Sequence, residues 1–292
     1  MNIAVTGGAG FIGTHLVERL SAVGHTVSCL VLPGQKYQAI EGVTYHEGNI
    51  SEQSSLHDFL QGVQTIVHLA GLTRARTEQE FLAINVEGTK HLVRAAQEYS
   101  SEFSHIIAMS SLAAVGPANN NCGICEDKPL KPITAYGRSK AKLEEYLQSK
   151  DFAAHWTAIR APGVYGPCDR DFLQYFKLIN KRLRLMIDKR TVVSLVYVKN
   201  LVSAIVSCIG NSAAYEQAFF IADEGTYDWD DIGKMIETSI GRKALRVALP
   251  LWSARTLVAV NDLLKPIMKK PPLLTRDKLA EMSGPYWVVS YK

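Results

Sequence analysis

The beginning of the chain alternates between a strand pattern and a helix pattern. Residues 3–5 are a short apolar run without polar alternation, which is typical of a strand buried on both faces of a parallel sheet. From Phe11 onward the apolar residues recur at the three- and four-residue spacing of a helix, and residues 25–32 return to an apolar run. This order of strand, helix and strand predicts a parallel βαβ unit.

The same alternation continues to residue 167. The pattern predicts further strands at 43–46, 65–69, 104–109 and 156–160, and helices at 51–60, 78–99 and 134–149. Ser51 is the expected N-cap of the first of these helices. We therefore predict an α/β fold in which residues 1–167 form a doubly wound parallel (Rossmann) sheet.

The periodicity is weaker after residue 167. It predicts helices at 172–183, 200–209 and 229–240 and strands at 192–198 and 218–221. We expect residues 168–292 to form mainly a smaller C-terminal substrate-binding lobe over the carboxyl edge of the sheet, where open α/β folds bind ligands. Residues 192–222 are expected to return to the Rossmann sheet.

The composition argues against a nucleic-acid-binding protein, a cysteine metal site and a secreted protein. The net charge of +4 comes without a basic cluster of the kind that binds nucleic acid, so no nucleic-acid partner is expected. The five scattered cysteines indicate reduced thiols and a cytoplasmic location, and the pair Cys122 and Cys125 lacks the second pair of a metal site. No signal peptide is expected, because residue 1 already begins a predicted core strand.

The chain also lacks an apolar run of membrane-spanning length, so no transmembrane span is expected. One stretch nevertheless mixes apolar residues with lysines, from Arg255 to Lys270. Such a segment is compatible with resting on a membrane surface. The alternative is that its apolar residues belong to the core or to a dimer face.

A glycine-rich turn joins the first predicted strand to the first helix. Gly7 permits the tight turn, Gly10 lets the backbone approach a diphosphate, and Gly13 allows close packing of helix and strand. Phe11 and Ile12 begin the helix, whose free N–H groups and dipole favour anions. This context predicts a dinucleotide site.

Two residues with the chemistry of proton transfer follow at helical spacing. Tyr136 and Lys140 stand four apart in a predicted helix and therefore share one face. An ammonium about 4 Å from the phenol would lower its pKa by about three units at an effective dielectric near 20. Ser110 and Ser111 end the fifth predicted strand, where a hydroxyl can orient a substrate oxygen.

Five short segments together resemble the extended short-chain dehydrogenase/reductase family. They are TGGAGFIG at 6–13, GNI at 48–50, HLAG at 68–71, NVEGT at 85–89 and RAPGVYGP at 160–167. The resemblance implies that an NAD or NADP cofactor contacts residues in several of these segments: Asn49, Ile50, Leu69, Ala70, Gly71, Pro162 and Val164. It also implies Ser111, Tyr136 and Lys140 as catalytic residues, Ser111 being preferred to Ser110 because it stands five residues before Gly116.

The residues that select between NAD and NADP depart from the family pattern. The end of the second strand reads Leu-Val-Leu-Pro at 30–33, with neither an acidic residue for the ribose hydroxyls nor an arginine for a 2′-phosphate. Lys36 follows within reach of a phosphate. The sequence therefore leaves NAD and NADP open and tilts the expectation toward NADP.

Two further departures concern the substrate. Sugar-nucleotide enzymes of the family usually carry Asn where this chain has Gly163 and Arg where it has Val193. A nucleotide diphosphate would lose two anchors, and hydrogen bonds to charged groups are worth roughly 1.5–3 kcal/mol each. The resemblance thus implies an NAD(P)-dependent oxidoreductase that interconverts an alcohol and a carbonyl on a small, rather apolar substrate, with Tyr136 as acid/base.

Two other functions stay open from the sequence. One is a sugar-nucleotide epimerase or dehydratase with a tightly held NAD, and the other is a non-catalytic NAD(P)-binding sensor. The resemblance also implies a possible homodimer formed through the helices at 78–99 and 134–149. Members of the family often continue with a further helix at the carboxyl end.

Overall fold

The strands of the computed structural model follow the predicted order. The structure describes residues 1–149, 151–187, 191–264 and 275–290. Its strands are β1 (Asn2–Thr6), β2 (Thr26–Val31), β3 (Val43–Glu47), β4 (Thr65–His68), β5 (His105–Ser111), β6 (His155–Ala161), β7 (Gly163–Tyr165), β8 (Leu183–Ile187), β9 (Val192–Val193), β10 (Leu195–Tyr197), β11 (Gln217–Phe220), β12 (Tyr227–Asp228), β13 (Leu245–Leu249) and β14 (Tyr286–Trp287).

Helices connect these strands. They are α1 (Phe11–Ala22), α2 (His57–Leu60), α3 (Glu78–Leu82), α4 (Gly88–Tyr99), α5 (Leu112–Val115), α6 (Ala135–Gln148), α7 (Arg170–Asn180), α8 (Val198–Cys208), α9 (Trp229–Ile240), α10 (Leu251–Leu264) and α11 (Arg276–Ser283). In the part of the chain that the structure describes, none of these helices combines the length and the apolar character needed to cross a membrane.

Seven parallel strands form the central sheet in the order β11-β6-β5-β4-β1-β2-β3. The order reverses between β1 and β4, so the chain leaves these two neighbours in opposite directions. This switch point opens a crevice at the carboxyl edge, where ligands bind in such sheets. The predicted doubly wound parallel sheet is confirmed.

Helices cover both faces of the sheet, and the side chains of adjacent residues in one strand pack in the layers on opposite faces. Ile3 and Val5 pack in the layer beneath α1 and α8, whereas Ala4 packs in the layer beneath α4 and α6. Each of these three residues is at most 1% exposed. The continuous apolar run of β1 is therefore explained by burial on two sides.

Three local predictions were wrong in detail. Ser51 does not cap a helix, because residues 53–56 form a 3₁₀ turn that follows Glu52 and leads into the short α2. The helix expected at 78–99 is interrupted by a π-helical turn at 83–87. The strand expected at 192–198 is split into β9 and β10, which pair in two small sheets, and of residues 192–222 only β11 joins the central sheet.

The smaller elements lie at the carboxyl edge. α7 and α9 pack around Ile179, Ile232 and Ile236, and β8 pairs with β13. Residues 286–290 run between β9 and the loop at 118–124, with hydrogen bonds to both. The domain boundary at residue 167 stays a prediction.

Candidate cofactor and active site

The glycine turn after β1 has the geometry that a diphosphate needs. Gly7 has a φ of +72°, and the N–H of Gly10 donates to its carbonyl at 3.0 Å. A Cβ on Gly13 would lie 2.1 Å from that same carbonyl oxygen, so any side chain there is excluded. A Cβ on Gly10 would meet only this oxygen, at 3.1 Å, which leaves its outer side free for a ligand.

The N-terminus of α1 faces this turn without a competing anion. Its N-cap, Gly10, makes no side-chain hydrogen bond, and the first turn holds no acidic residue. The unpaired N–H groups of the first helical turn are thus available, and the helix dipole favours a negative ligand. The residues present, including Phe11 and Ile12 at the helix start, fit the diphosphate of a dinucleotide.

A buried histidine fixes the segment opposite the glycine turn. His68 hydrogen-bonds Thr6 through Nδ1 at 2.7 Å and Thr89 through Nε2 at 2.9 Å. Thr89 donates its proton to the carbonyl of Asn85, so it accepts from Nε2–H, and Thr6 donates to Nδ1. Thr6 in turn accepts from the N–H of Ala70. This chain of bonds holds Leu69, Ala70 and Gly71 beside the turn.

The fold requires the neutral form of this histidine. Burial, with a smaller contribution from Lys140, lowers the pKa of His68 to about 3. Its folded pKa lies below the unfolded value, so its stabilising contribution is complete above about pH 6.5 and is lost progressively as the pH falls toward 3. We expect a loss of about 2 kcal/mol of unfolding free energy from this group at pH 5.

Urea unfolding at pH 7 and 5 measures this effect. The difference between the two pH values should shrink in His68→Gln and stay unchanged in His57→Gln, an exposed control. An equal pH difference in the wild type and in His68→Gln would exclude this role.

The π-helical turn places Asn85 between three segments. Its amide accepts from the N–H of Leu72 at 2.7 Å and donates to the carbonyl of Leu72 and to Ser139 at 3.0 and 2.9 Å. Asn85 is 1% exposed, so these bonds are shielded from water. They tie the segment after β4 to helix α6, which supports the structural role expected for this residue.

Helix α6 brings the candidate catalytic side chains to the sheet edge. Thr134 caps it by accepting from the N–H of Gly137. A Cβ on Gly137 would lie 2.3 Å from the carbonyl oxygen of Ala113, so glycine lets α6 approach α5 closely. Ser111 is the N-cap of α5, where its side chain accepts from the N–H of Ala113, and it lies close enough to Tyr136 to lower the pKa of the phenol.

Lys140 lies one turn further along the same helix. It is 5% exposed, and its Nζ donates to the carbonyl of Met109 at 2.7 Å. The point where a Cβ on Gly71 would lie is 3.4 Å from Nζ, so the ammonium faces the segment that His68 fixes. Burial lowers the pKa of Lys140 to about 8, while Glu144 acts in the opposite direction.

The prediction that Lys140 lowers the pKa of Tyr136 was wrong for the chain without a bound cofactor. Burial raises the pKa of Tyr136 to about 12 instead of lowering it. The hydrogen bond with Ser111 lowers this pKa, and the nearby carboxylate of Glu281 raises it. The ammonium of Lys140 donates to a backbone carbonyl on β5. Tyr136 is therefore protonated at neutral pH.

The second serine of β5 belongs to a different network. Ser110 is 2% exposed and donates to Glu144. Glu144 also pairs with Arg160, whose guanidinium reaches it at 2.8 Å, and both side chains are almost completely buried. Ser110 is thus occupied inside the molecule, which supports the choice of Ser111, whose catalytic role stays a prediction.

Helix α11 brings two carboxylates to the site that sequence reasoning missed. Asp277 accepts from the N–H of Tyr136 at 3.2 Å, and Glu281 lies close enough to Tyr136 to raise its pKa. The indole of Trp287 donates to the carbonyl of Glu281 at 2.6 Å and holds the helix in place. The local sequence signals only the helix, through its N-cap Thr275, and not where it docks.

The residues expected at the adenine end lie beside a turn of the backbone. Asn49 accepts from the N–H of Ser51 at 3.0 Å through the carbonyl expected to face the adenine, which leaves that oxygen one lone pair. Ile50 beside it is 5% exposed. After β2, Leu32 and Gln35 close a turn through two hydrogen bonds, and the exposed Lys36 follows this turn.

The substrate side lacks the charged anchors of sugar-nucleotide enzymes at the positions that the sequence singled out. Gly163 follows Pro162 in the strand β7, where a Cβ would lie 2.8 Å from a methyl of Leu195. Val193 pairs with Tyr227 across β9 and β12 and packs in apolar clusters. Val164 packs on the layer beneath α1 and α8.

Comparisons with known proteins agree with this geometry. The chain is 26% identical to the ceramide reductase of Caulobacter vibrioides, over 99% of this chain and 86% of that protein. It is 27% identical to the mouse sterol-4-alpha-carboxylate 3-dehydrogenase (decarboxylating), over 94% of this chain and 80% of that protein. The fold matches the UDP-glucose 4-epimerase of Thermus thermophilus in complex with NAD, with a TM-score of 0.76, 20% identity and 86% of each chain covered.

The family comparison covers most of the chain. A sequence model of the NAD dependent epimerase/dehydratase family matches residues 3–222, which include the central sheet except for its first residue, Asn2. The matched stretch contains the glycine turn, the segment held by His68, and the three residues Ser111, Tyr136 and Lys140. The chain therefore belongs to the NAD dependent epimerase/dehydratase family and is an enzyme of the short-chain dehydrogenase/reductase type.

Proposed function

We propose that the protein is an NAD(P)-dependent oxidoreductase that reduces a carbonyl to an alcohol on a small, neutral and apolar substrate. The observation that carries this proposal is the placement of Ser111, the N-cap of α5 at the end of β5, beside a protonated Tyr136 on α6. A phenol and a hydroxyl side by side are able to hold one carbonyl oxygen between them.

Each residue then has one task. Ser111 donates a hydrogen bond that orients the substrate oxygen, and Tyr136 gives its phenolic proton to that oxygen as negative charge develops. The bound cofactor supplies the hydride to the carbonyl carbon. Lys140, whose ammonium faces the segment at Gly71, would hold the ribose of a bound cofactor and would add positive charge to the site. Asn85 and His68 hold the backbone on which these groups depend.

The raised pKa of Tyr136 keeps the phenol in the protonated form that carbonyl reduction needs at neutral pH. With a pKa of about 12 the phenol of Tyr136 keeps its proton and serves as the acid, whereas alcohol oxidation needs the phenolate. Since the pKa of Lys140 is about 8, its charge is lost first as the pH rises. We expect kcat/KM for reduction to fall above about pH 8 because of Lys140.

A pH profile from about pH 6 to 10 tests this assignment. In Lys140→Arg, whose side chain keeps its charge, the alkaline decline should move to higher pH. A profile that is flat through pH 9, or a decline that is unchanged in Lys140→Arg, would show that Lys140 does not set it.

Three aromatic rings support an apolar substrate. The ring of Tyr165, which is part of the segment 160–167, has its centroid 6.2 Å from that of Phe172, and Phe172 stacks on Trp229 with centroids 6.3 Å apart. These rings lie on the side where Gly163 and Val193 replace polar anchors. The carboxylate of Glu281 near Tyr136 also opposes an anionic substrate. Together these features favour a neutral alcohol or ketone over a nucleotide diphosphate.

The cofactor preference follows from the turn after β2. No carboxylate stands at residues 30–33 to repel a 2′-phosphate, and Lys36 is exposed nearby. We propose that NADPH is preferred, and we expect Lys36→Glu to weaken NADPH binding about tenfold while leaving NADH binding unchanged. Calorimetric titration measures both affinities, with Lys181→Glu as the control, and equal losses for the two cofactors would contradict a phosphate contact.

The proposed reaction is tested by one pair of measurements. The purified protein is first examined by mass spectrometry for retained cofactor, and then supplied with NADPH or NADH and a panel of apolar ketones. Consumption of the reduced cofactor with release of the alcohol would support the proposal. Saturable binding of a UDP- or GDP-sugar together with a cofactor that does not exchange would instead indicate an epimerase.

A further inference from the structure

Helix α10 carries apolar side chains on the face that points to solvent. Trp252 is 69% exposed, Leu257 52% and Val260 46%, whereas Ala254 and Val258 are buried on the opposite side. We call the first three residues the outer face of α10. A surface helix normally places polar residues outward, so α10 is unusual in carrying large apolar side chains on its exposed side as well as apolar residues on its buried side.

The strand that precedes α10 extends this apolar surface along the chain. Leu245 and Leu249 of β13 are 69% and 37% exposed, and only Pro250 separates β13 from α10. Single exposed apolar residues are common, but a run of large ones within residues 245–260 marks an interaction surface.

The charge of this part of the chain indicates what the surface meets. Residues 242–276 carry eight basic side chains against one acidic side chain, a net +7, whereas the whole chain has a net charge of +4. The basic residues are Arg242, Lys243, Arg246, Arg255, Lys265, Lys269, Lys270 and Arg276, and the acidic one is Asp262. Lys265, Lys269 and Lys270 lie outside the described residues and contribute to this balance through the sequence alone.

The described basic residues lie close to the apolar ones. Arg255 is exposed on α10 and stands between Trp252 and Leu257 in the sequence. Lys243 is exposed just before β13. Tryptophan and basic side chains next to exposed leucines form the pattern of a segment that lies in the interface of an anionic bilayer. α10 has 14 residues, which is too short to span the hydrocarbon core.

We propose that the outer face of α10 binds the surface of a membrane that contains anionic lipids. Its apolar side chains enter the boundary between headgroups and acyl chains, and the exposed Lys243 and Arg255 pair with lipid phosphates. This binding is independent of the proposed reaction. It would bring the active site to the phase in which an apolar substrate dissolves.

Flotation of the purified chain with vesicles tests the proposal. Binding should be strong to vesicles of phosphatidylcholine with phosphatidylglycerol, weak to phosphatidylcholine alone, and reduced by salt. The double variant Leu257→Asp/Val260→Asp should lose binding about tenfold. Val23→Asp, an exposed apolar position at the end of α1, is the matched control and should bind as the wild type does.

Two further measurements separate membrane binding from unfolding and from self-association. Cofactor titration of each variant shows whether the Rossmann domain remains folded, and it also separates failure of this proposal from failure of the proposed function. Sedimentation shows whether the double variant changes the oligomeric state. The proposal would be overturned if the chain did not bind anionic vesicles, or if the double variant bound them as well as the wild type does. It would also be overturned if the double variant converted a dimer to a monomer, because the surface would then belong to contacts with a second copy of the chain.

Discussion

Replacement of Tyr136 by phenylalanine should reduce turnover by about 10²–10⁴-fold and leave cofactor binding unchanged. The variant loses only the phenolic oxygen, which lies beside Ser111 and is the proposed proton donor. The ring keeps its contact with Phe81, whose centroid lies 5.9 Å away, so the fold is expected to persist. Steady-state kinetics with the best ketone of the panel and calorimetry with NADPH provide the two readouts.

A matched control exists on the same helix. Tyr146 also lies on α6, and burial likewise raises its pKa to about 12, but its ring packs on Phe152 away from the site. Tyr146→Phe should retain full turnover. Near-normal turnover of Tyr136→Phe would refute the mechanism, and a parallel loss of cofactor affinity would show that the residue acts through binding.

The second large effect concerns the buried pair of Glu144 and Arg160. Both side chains are at most 4% exposed, and the guanidinium also donates to the carbonyl of Glu126 and stacks on Phe220. Glu144→Gln would leave the arginine charge buried without its counter-charge. We expect the free energy of unfolding to fall by about 3–5 kcal/mol, measured by urea denaturation at pH 7.

An exposed ion pair of similar geometry serves as the control. Arg138 binds Glu78 through two hydrogen bonds of 2.7 Å, but both side chains are about a third exposed or more. Glu78→Gln should therefore cost at most about 1 kcal/mol. If Glu144→Gln costs as little as Glu78→Gln, the buried pair does not stabilise the fold.

The sequence predicted the central sheet because each strand is an uninterrupted apolar run between helical patterns. Local signals failed where distant contacts decide the structure. The helix expected at 78–99 contains a π-helical turn because Asn85 bonds Leu72 and Ser139, both far from it in sequence. The strand expected at 192–198 is divided because its halves pair with different partners, Tyr227 on one side and Tyr165 on the other.

The sequence predicted which residues come together at the candidate site, but it did not predict the contacts that set their pKa values. The spacing of Tyr136 and Lys140 correctly placed both on α6, yet helical spacing does not say where a long side chain ends. Lys140 reaches a carbonyl on β5, and α11 brings Glu281 to the phenol from more than a hundred residues away. Such long-range contacts leave no periodic trace in the sequence.

Helix α11, which docks on Tyr136, is synthesised after the whole central sheet. The strands and helices of the central sheet are all complete by residue 220, and domains generally fold as units while the chain is being made. Asp277, Glu281 and Trp287 join them only afterwards. The glycine turn and every strand of the central sheet are therefore synthesised before the residues that enclose Tyr136.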